Sequence, residues 1–101
     1  MLNQLVIIGR VTENPELIKG EEKDICNITI AIPRNYKNTN GEFETDFIPV
    51  ILWQSLADNV SQYCHKGDLV GIKGRIEVMD EKLVVIAEKV TFLANNKNGE
   101  E

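Results

Sequence analysis

The sequence contains few of the residues that build metal sites, disulfide frameworks or catalytic centres. It has two cysteines, one histidine and one tryptophan among 101 residues. Cys26 and Cys64 are far apart and belong to no CxxC pair, so a zinc site is not indicated and buried free thiols are the simpler interpretation. His65 fits a helix end better than a catalytic base. We expect no metal and no cofactor.

Long apolar runs and an excess of positive charge are also missing. No segment approaches the roughly 20 apolar residues that span a bilayer, and no basic segment precedes the first apolar run. We therefore expect a cytoplasmic protein. The net charge of −5 argues against a protein whose whole surface binds polyanions. A local basic groove is still compatible with this charge, because many acidic residues fall in loops and the C-terminal tail.

What the sequence does contain is a clear alternation of apolar and polar residues. It predicts five strands, at residues 4–12, 25–34, 43–53, 69–79 and 82–93, with a short extended piece at 16–19. Pro33 should end the pairing of its strand or place it at a sheet edge. Asn40-Gly41 and Asp80-Glu81 should form hairpin turns.

Helical periodicity occurs in one segment, residues 55–64. Ser55 and Asp58 resemble a capping box at its start, and a last turn with His65 and Lys66 should stop at Gly67. The order is three strands, one helix and two strands. It predicts an all-β OB-fold, a five-stranded Greek-key barrel with its helix between strands three and four. One domain is expected, at residues 1–94, followed by a short flexible polar tail at 95–101.

The strand at residues 43–53 has two faces with different side chains. Alternation places Phe43, Phe47 and Trp53 on one face and aliphatic residues on the other. One face can thus enter a core while the other presents rings to solvent. Such a surface suits the stacking of flat ligands, of which nucleobases are the commonest. Core packing of each ring is the alternative interpretation.

Five sequence blocks, at residues 1–17, 26–32, 40–47, 50–53 and 63–76, closely resemble the bacterial single-stranded DNA-binding protein family. The resemblance covers nearly all of residues 1–93. It implies a homo-oligomer, usually a tetramer, that coats single-stranded DNA in replication, recombination and repair. It also implies a protein associated with the nucleoid that catalyses no reaction.

The resemblance assigns stacking to Phe47 and Trp53 on the third strand and to Tyr36 after the second. Phe43 is left as a contact at a loop end or sheet edge. Phosphate contacts are expected from five basic residues, although solvated surface charge is the alternative for each. These five are Arg10, Arg34, Lys37, Lys73 and Arg75.

Two departures from the family pattern leave alternatives open. The long finger between the fourth and fifth strands is reduced to Asp80-Glu81, and the sequence ends without an acidic, apolar tip. A dimeric primosome-type adaptor, which binds single-stranded DNA and partner replication proteins, is therefore the second hypothesis. A metal-dependent nuclease is the third, but Glu44 and Asp46 are better explained as surface groups. The first strand is the candidate for subunit pairing.

Overall fold

Alternating apolar residues form the strands of a closed barrel in the computed structural model, which describes residues 1–95. The described elements are β1 (Leu5–Val11), β2 (Leu17–Ile18), β3 (Ile25–Lys37), β4 (Phe43–Trp53), α1 (Ser55–Tyr63), β5 (Leu69–Met79) and β6 (Lys82–Ala94). The predicted bounds of β4 and β5 agree with the structure at both ends, and β1 and β6 agree to within one residue.

The sheet has the strand order β1-β5-β6-β4-β3-β2, and an additional pairing of β1 with β3 closes it. In that pairing Arg10 lies opposite Ala31. β4 and β6 run parallel, with Val50 opposite Val85, whereas the other pairs are antiparallel. The five long strands therefore form a barrel with α1 between the third and fourth of them. This confirms the predicted OB-fold.

The core lies inside the barrel and under α1. Cys26, Ile28 and Ile30 of β3 are buried, and Ala57 and Val60 of α1 belong to the same core cluster. Cys26 and Cys64 are buried free thiols within this core, as the sequence indicates. The outward faces of β3 and β4 are consequently left to the solvent.

Pro33 does not end β3, which continues to Lys37. Thr45 lies opposite Pro33, and the pairing resumes after a register shift with Lys37 opposite Phe43. On its other side β3 pairs with β1 only as far as Ala31. Pro33 thus lies where one side of β3 is an edge and its missing N–H leaves no ladder bond unmade. Of the two predicted outcomes, the edge position holds, and β3 extends three residues beyond its predicted end.

Both predicted hairpin turns are present. Gly41 has φ +80°, and the Asn38 side-chain oxygen accepts the N–H groups of Asn40 and Glu42 at 2.9 and 3.0 Å. Asp80 and Glu81 have φ values of 51° and 66°. A two-residue hairpin with a type I′ turn requires positive φ at both of these positions.

The predicted capping box at the start of α1 is wrong. Gln54 is the N-cap, with φ 59°, and no side chain caps the helix. Its N–H donates to the Asp24 carbonyl at 2.9 Å, and the Asp58 N–H donates to the Gln54 carbonyl at 3.0 Å. Because the chain turns sharply at Gln54, Ser55 is already helical and cannot act as the cap.

The predicted basic last turn of α1 is also wrong. The helix ends at Tyr63, because Cys64 is extended with φ −109° and ψ 141°. His65 therefore belongs to the loop that leads to β5. Its N–H donates to the buried Asp68 carboxylate at 2.8 Å, and Gly67 follows with φ +88°.

Within residues 1–95 no helix is long and apolar enough to cross a membrane. The expected polar tail lies, apart from residue 95, outside the described residues.

Candidate nucleic-acid interface

Three aromatic side chains face outward from β4. Phe43 and Phe47 are 59% and 63% exposed, and Trp53 is half-buried. Their alternation with buried Val50 and Leu52 places all three on the outside of the barrel. We call Phe43, Phe47 and Trp53 the aromatic face. Phe47 and Trp53 were expected there as stacking rings, whereas Phe43 was left out of the candidate set.

Trp53 lies at the end of β4 opposite Ile25. The Lys23 ammonium lies 3.9 Å from the centre of the indole ring, within cation–π distance. Sequence reasoning missed Lys23 because it sits in a charged loop before β3. Only the register of β3 against β4 shows that this loop comes to lie beside Trp53.

Phe43 lies at the other end of β4, opposite Lys37. The Lys37 ammonium is 5.7 Å from the centre of the Phe43 ring. Lys37 was predicted to contact phosphate, and the structure places it beside an exposed ring of the aromatic face.

Phe47 lies between these two, opposite Ala31, which in turn lies opposite Arg10 on β1. Side chains directly opposite one another point to the same side of a sheet, so Arg10 shares the outer surface with Phe47. Neighbouring strands are about 4.8 Å apart, which puts the two Cα atoms roughly 10 Å apart. The Arg10 Nη1 donates to the Gly67 carbonyl at 2.9 Å. The structure thus brings Arg10 to the side of the aromatic face.

Tyr36 is 59% exposed and contacts Arg34, whose guanidinium carbon lies 6.0 Å from the ring centre. Arg34 itself is bound to Asp46 by two hydrogen bonds of 3.0 and 2.9 Å, and Glu44 lies 3.3 Å from its Nη1. The hydrogen bond from Arg34 lowers the pKa of the Asp46 carboxyl group. Asp46 belongs to the side of β4 opposite Phe47, so Tyr36 is joined to a different set of side chains from the aromatic face.

Lys73 and Arg75 lie on β5, which is separated from β3 by β1 and from β4 by β6. Lys73 is exposed and lies opposite Val6 on one side and Lys89 on the other. Arg75 donates to Glu77 at 2.9 Å and to Glu88 at 3.2 Å. These two predicted phosphate contacts are therefore not beside the aromatic face, and the charge of Arg75 is balanced by carboxylates.

Among residues 1–95, no group of three or more His, Cys, Asp or Glu side chains could hold a metal ion. The candidate site is an open surface with exposed rings and adjacent cations, which can stack flat ligands and attract anions.

The fold and this surface together define the class: an OB-fold domain with an aromatic strand face flanked by basic side chains. The chain belongs to the single-strand binding protein family, whose sequence model matches residues 2–93.

Named relatives agree with this membership. Single-stranded DNA-binding protein 1 of Clostridium acetobutylicum is 42% identical over 107 residues, covering 95% of this chain and 97% of its own. Single-stranded DNA-binding protein B of Bacillus subtilis is 40% identical over 78 residues, covering 76% of this chain and 69% of its own. The solved SSB domain of a Synechococcus protein superposes with a TM-score of 0.74 at 17% identity, covering 90% of this chain and 96% of that one. This last similarity supports the fold.

Proposed function

We propose that this protein binds single-stranded DNA without regard to base sequence, by stacking bases on the aromatic face. The observation that carries the proposal is the outward projection of Phe47 and its neighbouring rings from a barrel strand. Solvent-exposed rings on an OB-fold strand are a stacking platform, because every base has a flat face. The printed names of the relatives point to the same ligand.

The spacing of the rings supports contact with several nucleotides. Phe47 and Trp53 are six residues apart, which corresponds to about 20 Å along a strand. Two rings so far apart cannot both stack on the same base, so each ring would stack on a different base. Phe43 extends the row by four more residues, or roughly 13 Å.

Backbone phosphates would be attracted by the cations beside the rings. Lys23, Lys37 and Arg10 lie next to the aromatic face, and no salt bridge joins any of them to a carboxylate within residues 1–95. Arg34 and Arg75 are already paired with carboxylates and would contribute less. Lys73 would contact a phosphate only if the bound DNA passed round the barrel to β5.

Self-association is part of the proposal. Val6 and Ile8 on the outside of β1 are 67% and 55% exposed, and Leu93 of β6 lies beside them at 47%. An exposed apolar patch of this kind favours burial against another copy. A tetramer in the cytoplasm, acting on the nucleoid in replication, recombination and repair, fits the proposed role. The dimeric adaptor would instead be distinguished by its solution mass and by the nucleotides bound per subunit.

The direct test is to replace the rings one at a time. Phe47→Ala and Trp53→Ala should each weaken binding to oligo-dT by roughly 1–3 kcal/mol, the usual value of one stacked base. Fluorescence anisotropy of a labelled oligonucleotide at fixed salt measures the change. Phe47 is the cleaner position because it is largely exposed and contributes little to the core.

Tyr63→Ala is the matched control. Tyr63 is 63% exposed, as Phe47 is, but lies on α1. Its loss should leave the affinity unchanged. Equal binding by wild type, Phe47→Ala and Trp53→Ala would refute the stacking proposal.

A further inference from the structure

Two of the arginines that the sequence predicts to contact phosphate share one feature, since each is bound by two carboxylates. Arg34 is held by Asp46 through a two-point contact and by Glu44 at 3.3 Å. Arg75 is held by Glu77, with its Nη2 2.7 Å from Oε2, and by Glu88 at 3.2 Å. The same arrangement thus occurs on two hairpins of the barrel.

The geometry at Arg34 follows from the strand register. Asp46 lies opposite Ile32, and Arg34 is two residues further along β3 on the same side. Two N–H groups of the guanidinium therefore donate to the two oxygens of the carboxylate, which is the bidentate arrangement common for arginine. Phosphate oxygens can accept the same pair of N–H groups.

The pair is open to solvent, because the Arg34 and Asp46 side chains are 38% and 44% exposed. An ion pair in such a position contributes only about 0.2–1 kcal/mol. An incoming phosphate can therefore compete for the guanidinium. Tyr36, a candidate stacking ring, lies beside Arg34 and would bring a nucleotide to it.

We propose that Asp46 and Glu44 occupy Arg34 in the free protein and that a DNA phosphate replaces them on binding, so that these carboxylates set the affinity. The inference rests on the proposed function. It makes Asp46 and Glu44 affinity-determining residues that need not touch the DNA, and gives a role to two acidic side chains on a strand that binds a polyanion.

The test is a double-mutant cycle with oligo-dT as the probe. Asp46→Asn should tighten binding by a factor of roughly 1.4 to 5, the range that corresponds to an exposed ion pair. The slope of log affinity against log salt should stay nearly the same, because Arg34 contacts one phosphate in the complex of either protein. Glu44→Gln, which removes the longer contact, should act in the same direction but less.

Two comparisons separate release of Arg34 from the mere removal of a negative charge. Glu42→Gln is the matched control, because Glu42 is an exposed acid of the same hairpin whose carboxylate forms no ion pair within residues 1–95. It should change affinity less than Asp46→Asn does. In an Arg34→Met background, Asp46→Asn should lose its effect, because no guanidinium remains to be released.

The outcomes that overturn the proposal are distinct from failure of the proposed function. If Asp46→Asn tightens binding equally with and without Arg34, the carboxylate acts through its charge alone. If it changes nothing while wild type binds and Phe47→Ala weakens binding, Arg34 is not released. A wild-type protein that does not bind oligo-dT refutes both. Thermal unfolding of each variant verifies that it is folded, and Glu44→Gln tests the same idea should Asp46→Asn unfold.

Discussion

At the scale of single residues, each ring of the aromatic face has a cation nearby. Lys23 lies over Trp53, Lys37 lies beside Phe43, and Arg10 lies across one strand from Phe47. A ring holds a base and the adjacent cation can attract the phosphate of that nucleotide. Pairing the two functions makes a contact that does not depend on base identity. Lys23 would have to move from the ring for a base to stack on that side.

The buried thiol of Cys64 gives a prediction for alkaline pH. Burial raises its pKa from 9.0 to about 11. Between these values the unfolded chain loses the thiol proton while the folded chain retains it. Ionisation therefore stabilises the unfolded state, and the free energy of unfolding falls as pH rises. Two pKa units correspond to a loss of about 3 kcal/mol.

The measurement is the melting temperature from pH 8 to 11 for wild type and Cys64→Ala. Above pH 9 the melting temperature should fall more steeply for wild type than for Cys64→Ala. A constant difference in melting temperature, caused by the loss of the sulfur, does not affect this comparison. Cys26, whose pKa burial also raises, is present in both proteins and cancels. Parallel curves would contradict the assignment.

The sequence was sufficient to name most of the candidate residues. It did not show which basic side chains pair with carboxylates and which lie beside the rings. Alternation placed Phe43, Phe47 and Trp53 on one face, because strand faces have a period of two, and the family resemblance selected Phe47 and Trp53 as the stacking rings. The pairing of Arg34 with Asp46, and the approach of Lys23 to Trp53, depend on the register between β3 and β4. Register is a long-range property, and no local pattern of one strand reveals its partner's alignment.

At the scale of elements, β5 depends on a glycine that alternation does not explain. A Cβ at Gly74 would overlap the Ile86 carbonyl oxygen, where the pairing of β5 with β6 shifts register. Gly71 on the same strand is different, since its nearest neighbour would be Leu93 Cδ1 at 3.7 Å, an ordinary contact. The two positions form a natural comparison.

Gly74→Ala should destabilise the protein by about 1–3 kcal/mol or more, the cost of forcing extra volume into a packed site. Gly71→Ala should change stability by less than about 1 kcal/mol. Urea unfolding at one protein concentration measures both. Equal stability of the two variants would show that β5 and β6 approach less closely at Gly74 than the structure indicates.

The sequence predicted the bounds of the strands better than the caps of the helix. β4 and β5 alternate strongly and their bounds agree with the prediction at both ends. α1 was predicted with bounds that agree to within one residue, but its predicted caps were wrong, because the ends of the helix are fixed by residues outside it. Asp24 binds the backbone of Gln54, and Asp68 binds that of His65. These partners are distant or lie beyond the helix, so the local capping patterns failed.

At the scale of the whole molecule, a net charge of −5 coexists with a proposed ligand that is a polyanion. Carboxylates balance Arg34 and Arg75, which leaves Arg10, Lys23 and Lys37 as the cations beside the aromatic face. With few phosphate contacts, the affinity for DNA should depend only weakly on salt concentration. Stacking should therefore supply a large share of the binding free energy, and this is the central claim.

The most direct measurement is a fluorescence titration of Trp53 at two salt concentrations, since the protein has one tryptophan and the signal reports that position alone. We predict that oligo-dT quenches the emission, that a duplex of the same length has little effect, and that higher salt weakens binding without abolishing the quenching at saturation. Binding of oligo-dT that leaves the emission unchanged, or equal quenching by duplex, would contradict the account.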